Sequence, residues 1–114
     1  MAGLSLFFEL LVAHALADFA LQGEAMGSGK NRHNKIHQNA GKHFPAWQYW
    51  LTAHSLVHGG AVYLITGSVM LGVVETVLHG LIDFSKCEGW INFHVDQALH
   101  VACKIGYCIF LLNI

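Results

Sequence analysis

Four long apolar segments dominate the chain, and each carries polar residues one helical turn apart. In "AHSLVHGG", residues 53–60, His54 and His58 stand four apart. The same interval recurs in "HALADFALQ" (His14, Asp18, Gln22), "ETVLHGLID" (Glu75, His79, Asp83) and "DQALH" (Asp96, His100). Residues four apart share a helix face. The repetition therefore predicts four helices, each with one polar stripe in an otherwise apolar surface. No strand pattern competes with it.

The segments run over 4–21, 44–65, 69–84 and 90–112. A membrane-spanning helix needs about 17–25 predominantly apolar residues. Three segments meet that range, and the third sits at or just under its lower limit. The links "TGS" (66–68) and "SKCEG" (85–89) are short, which makes the helices they join antiparallel neighbours. The expectation is an all-α chain, a single domain forming an antiparallel up-down four-helix transmembrane bundle. A soluble four-helix bundle is the less favoured alternative, because the segments lack the polar face of a surface helix. Mean hydropathy is +0.46, with 54% hydrophobic and 11% charged residues.

The one long connection, 23–43, is Gly-rich and basic. It carries Lys30, Arg32, Lys35 and Lys42 against one acid, Glu24, and the 85–89 link carries Lys86. Basic loops stay on the cytoplasmic side. This places the loop inside and both termini outside, in a bacterial inner membrane. Trp47, Tyr49, Trp50 and Trp90 begin segments at that same boundary, where interfacial aromatics collect. The N-terminal stretch has no basic region and is interrupted by Glu9, His14 and Asp18, so it is read as a retained helix. Net charge is −1, which argues against nucleic acid as a partner. The partner is the lipid bilayer, and a homo-oligomer is compatible with so small a bundle. Cys87, Cys103 and Cys108 have no CxxC spacing and are expected as free thiols.

Polar residues on different helices meet only if their depths agree. From the cytoplasmic boundary, His14, His54, His79 and Asp96 fall roughly 9–12 Å deep, and His100 roughly 15 Å, at about 1.5 Å per residue. The pairs thus form one layer in the cytoplasmic half. Five acids lie within the apolar segments (Glu9, Asp18, Glu75, Asp83, Asp96) against one base, Lys104. Ionised carboxylates in such an interior need a partner or a metal. One or two divalent cations would offset most of the excess, zinc first, with iron or manganese as alternatives. Expected metal ligands are His14, Asp18, His54, His58, His79, Asp83, Asp96 and His100. Glu75 is the expected catalytic base, and Gln22, Lys86 and Gln97 are expected to contact a polar substrate headgroup. Glu9 falls off the His14–Asp18 face, while His33, His37 and His43 are read as solvated and His94 as interfacial. The zincin HExxH pattern fails because Ser55 follows His54, and the di-iron Glu-x-x-His pattern fails because Glu75 and His79 are four apart. A haem would use two facing histidines but not their companion carboxylates.

The motifs "AHALADFALQ", the central HxxxH, "ETVLHGLIDFSK" and "DQALHV", in that order, resemble a domain-of-unknown-function family of small bacterial and phage membrane proteins. That family looks related to membrane-bound metal-dependent hydrolases. The resemblance covers nearly the whole chain and implies a multi-pass helical membrane protein. The function expected is a metal-dependent hydrolase acting on a lipid or lipid-linked phosphate or ester from the cytoplasmic side. Two other classes stay open: a metal-ion or proton transporter or channel component, and a non-catalytic bundle whose polar layer joins the helices.

Overall fold

The structure, a computed structural model, describes residues 2–39 and 43–113, so Lys42 of the basic loop lies outside the described residues. Within these there are six α-helices and no strand: α1 (Ala2–Ala15), α2 (Glu24–Gly29), α3 (Ile36–Asn39), α4 (Trp47–Thr66), α5 (Val69–Cys87) and α6 (Phe93–Leu112). A short π-helical segment, Leu16–Ala20, continues α1.

Local chemistry sets the boundaries. α4 starts after Pro45 rather than at residue 44, since proline disfavours helical geometry in the residue before it. It ends at Gly67, which takes φ +73° and donates its N–H to the Tyr63 carbonyl at 2.8 Å. Ser68 Oγ then caps α5 by accepting from Leu71 N at 3.1 Å, and Asn92 Oδ1 caps α6 by accepting from Val95 N at 2.8 Å. α5 runs to Cys87, three residues past the apolar stretch, because Ser85 and Lys86 are tolerated in a final turn.

The four long helices pack side by side, and their contacts fix the direction of each. Ser55 lies against Gly80 and Tyr63 against Gly72, so numbers rise on α4 as they fall on α5. His100 meets Asp83 and Tyr107 meets Glu75, which makes α6 antiparallel to α5. Gly3 packs on Leu112 and His14 reaches Gln97, which returns α6 to α1. Asp18 meets His54 and His58 on α4, closing the ring.

The interior is inverted relative to a water-soluble domain. Among the described residues, twelve polar or charged side chains are buried against six hydrophobic ones. Large apolar side chains such as Phe8, Leu64, Val73, Leu81 and Ile109 face outward. The apolar core is confined to one end, where Leu10, Val62, Leu71, Tyr107 and Cys108 cluster. Two helical stretches, Ala2–Ala20 and Phe93–Leu112, are long and apolar enough to cross a membrane.

α4 and α5 approach most closely at Gly59, where an added Cβ would sit on the Thr76 hydroxyl and 2.6 Å from the Gly72 carbonyl. The neighbouring Gly60 faces open space. Gly59→Ala should therefore destabilise the fold by about 1–3 kcal/mol through overpacking. Gly60→Ala should leave stability unchanged or raise it by up to about 1 kcal/mol. Denaturation of the detergent-solubilised variants followed by circular dichroism measures both.

Candidate metal centre

Asp18 is the hub. The π-helical segment that carries it is closed by the Leu21 N–H bonding to the Leu16 carbonyl at 2.7 Å, five residues back. Such single-turn π segments concentrate at functional sites. This one delivers the Asp18 carboxylate among three imidazoles. Oδ1 lies 2.9 Å from His58 Nε2, 3.1 Å from His54 Nε2 and 3.7 Å from His79 Nε2. Oδ2 lies 3.4 Å from His14 Nε2 and accepts from Gln97 Nε2 at 3.1 Å.

Asp83 is a second hub on α5. Its Oδ1 is 3.2 Å from His100 Nε2, and its Oδ2 is 3.3 Å from His54 Nε2 and 3.4 Å from His79 Nε2. Asp96 Oδ1 lies 3.3 Å from His100 Nε2, and Asp96 Oδ2 accepts from Gln97 at 3.0 Å. The rings of His58, His79 and His100 stack, with successive centroids 3.6 and 4.1 Å apart. All eight residues expected as ligands therefore lie in one connected, buried layer.

Two ligand groups stand out. Asp18, His54, His58 and His79 offer one donor atom each within 4.8 Å of one another, and so do His79, Asp83 and His100. A tetrahedral zinc ion with nitrogen and oxygen bonds of about 2.0–2.1 Å holds its ligand atoms roughly 3.4 Å apart. The 2.9–3.7 Å spacings around Asp18 Oδ1 bracket that value. His79 is wholly buried, at 0% exposure, with Nδ1 3.3 Å from Glu75 Oε2 and Nε2 facing both Asp83 Oδ2 and Asp18 Oδ1 at 3.4 and 3.7 Å. His14 Nδ1 is buried without a partner. Buried polar atoms without partners are uncommon, and a bound ion or water is one way they are satisfied. The cluster can hold a metal ion, and the donors suit zinc or another borderline divalent cation.

The remaining expected site residues take other positions. Glu75 lies one turn deeper, accepting from Lys104 Nζ at 2.7 Å and Tyr107 OH at 2.8 Å. Its Oε2 also sits 3.3 Å from His79 Nδ1, behind the ring rather than beside Asp18. Gln97 lies inside the layer, bridging His14, Asp18 and Asp96. Gln22 turns back to donate to the Asp18 backbone carbonyl at 3.1 Å. Lys86 stays outside the cluster, its Nζ 5.9 Å from the Phe93 ring. Glu9 is exposed, off the layer.

The basic loop contributes a residue that the sequence reading assigned to topology alone. α2 dips toward the layer, and Lys30, 3% exposed, donates to Asp83 Oδ2 at 2.7 Å. The signal was present in the charge count: the apolar segments hold more acids than bases, and the loop is rich in lysine. The loop is also pinned from outside. Arg32 and His33 both hold Glu88, the latter at 2.7 Å, and the Arg32 guanidinium lies 5.4 Å from the Phe84 ring and 6.0 Å from Trp47. His33 is exposed and also meets Glu88, His37 bonds the Gly29 carbonyl at 2.9 Å, and His43 is exposed.

The arrangement defines a buried histidine–aspartate centre between helices. A family described as protein of unknown function (DUF3307) matches residues 6–113, and the chain belongs to that family. No curated protein and no solved structure matches it.

The Glu88 clamp has a pH signature. Arg32, then His33, hold the Glu88 carboxyl below its ordinary value of 4.5, and Glu88 raises Arg32 in turn. A depressed carboxyl contributes stability above its unfolded value and loses it as pH falls through the folded one. Tryptophan emission should stay constant from neutral pH down to about 4.5 and change below it. Glu88→Gln should abolish that transition and show the released-loop emission already at pH 7.

Proposed function

We propose that this chain is a multi-pass protein of the bacterial inner membrane, a transmembrane four-helix bundle with both termini outside the cytoplasm and the basic loop inside. We further propose that it is a metal-dependent hydrolase acting on a lipid or lipid-linked phosphate or ester. The observation that carries the reading is the fully buried His79, whose Nε2 lies between Asp18 and Asp83. Backed by Glu75 and stacked between His58 and His100, it completes either ligand group.

The inverted partition of side chains supports the membrane placement, since apolar outer faces suit lipid and water-facing helices need a polar one. The polar layer supports a site open to one side. It reaches from Lys30 at the loop to Tyr107, where Leu10, Val62 and Leu71 close the interior. A transport pathway would need polar groups through to the far end.

A lipid-facing groove of about 380 Å³ runs along the α4–α5 seam and supports a lipid substrate. Trp47, Leu51, Ser55, Gly80 and Phe84 line it, and Ser55 and Gly80 are the chain neighbours of His54 and His79. The buried Ser55 hydroxyl has no partner. Arg32, against Trp47 and Phe84, stands where an anionic headgroup would lie.

A divalent ion held by Asp18, His54, His58 and His79 would supply Lewis acidity and lower the pKa of water. The chain's own residues do the rest. Gln97 fixes the Asp18 carboxylate through Oδ2, leaving Oδ1 toward the three imidazoles. Asp96 Oδ1 holds His100 Nε2 at 3.3 Å, and Glu75 stands behind His79.

Zinc-loaded protein in detergent should release phosphate from phosphatidic acid. Asp18→Asn and His58→Ala should reduce the rate by at least about 10³-fold, within the range for losing a catalytic metal, while Glu9→Gln should leave it unchanged. Hydrolysis that persists in Asp18→Asn would contradict the assignment. Release absent across phosphate and carboxylic ester lipids, with the metal bound, would remove the hydrolase reading and leave a non-catalytic metal protein.

A further inference from the structure

We infer that the layer takes one divalent ion, held by Asp18, His54, His58 and His79, and that the Lys30 ammonium is its second cation, occupying the position at Asp83 where another metal would sit. The inference rests on the metal-binding reading above and fixes its stoichiometry.

Three observations converge. The first is charge. Four carboxylates are buried in and beside the layer: Asp18, Glu75, Asp83 and Asp96. Two ammonium groups are buried with them, Lys30 on Asp83 and Lys104 on Glu75. With neutral histidines the balance is minus two, which one divalent ion cancels. A second ion would leave the interior at plus two, which is costly out of water.

The second is ligand supply. His79 belongs to both candidate groups. Its Nδ1 faces Glu75 at 3.3 Å, so Nε2 is the atom left to bind, and one nitrogen serves one ion. A carboxylate behind a metal-binding histidine is the usual way to fix which nitrogen is free. Nε2 of His79 sits between Asp18 Oδ1 and Asp83 Oδ2 at 3.7 and 3.4 Å. The Asp18 side offers three imidazoles and no ammonium, whereas the Asp83 side is already engaged by Lys30.

The third is the loop itself. Lys30 is 3% exposed and its Nζ is 2.7 Å from Asp83 Oδ2, a distance of direct ion pairing. It is the C-cap residue of α2 and stands outside the long helices, so this cation comes from the loop and not from the bundle.

Metal stoichiometry of the purified full chain, dialysed against zinc and read by elemental mass spectrometry with native mass spectrometry alongside, tests this. Wild type should hold one zinc. Lys30→Met, which keeps length and removes charge, should take up a second at Asp83, His100 and Asp96. Lys30→Arg should stay at one. Lys30→Met/Asp83→Asn, which restores the charge balance, should return to one. Two zinc ions in wild type would overturn the inference and keep the metal centre. One zinc in Lys30→Met, with native helicity, would overturn it as well. No zinc in any variant would remove the metal reading beneath it.

Discussion

A carboxylate that stays ionised inside an apolar bundle must face positive charge or strong donors, and that requirement organises this molecule. Asp18 and Asp83 each gather imidazoles from the neighbouring long helices, and Asp83 also draws Lys30 down from the loop. The polar layer is the place where all four long helices meet on shared partners. Without Asp18 the buried His58 Nε2 loses its acceptor, and without Asp83 the Lys30 ammonium loses its own.

The packing around the layer follows from it. Helices that turn polar stripes inward present their apolar residues outward, so the exposed surface carries Phe, Leu, Val and Ile along its length. Small residues then let backbones come close where no polar contact holds them, as at Gly59 against Gly72. The deeper Glu75–Lys104–Tyr107 set completes its own charge balance and backs His79. The loop completes the other end, held outside by Glu88 and inside by Asp83.

Much of this was legible in the residues. The four-residue spacing put His14 with Asp18, His54 with His58, His79 with Asp83 and Asp96 with His100, and equal depths put them at one level. Periodicity could not show the π turn at Leu16–Ala20, because it depends on one backbone bond from Leu21 rather than on side-chain pattern. Nor could it show that Lys30 is buried: a lysine among Gly, Ser and Asn reads as solvated unless its partner is known. Glu75 shared the stripe of His79 and Asp83 and was read with them as chemistry. Its partners Lys104 and Tyr107 come from α6, and only the register between α5 and α6 reveals them. Gln97 reads as a headgroup contact because it lies near the segment boundary, yet it bonds His14 and Asp18 of the α1 side within the layer.

The central claim is that the buried layer binds a metal through Asp18 and its imidazoles. Anomalous diffraction from crystals of the zinc-loaded protein, collected on both sides of the zinc absorption edge, tests it most directly. The account predicts a strong peak within bonding distance of Asp18 Oδ1 and of Nε2 of His54, His58 and His79. A layer intact but without a peak, or a peak confined to the loop histidines His33, His37 or His43, would contradict it.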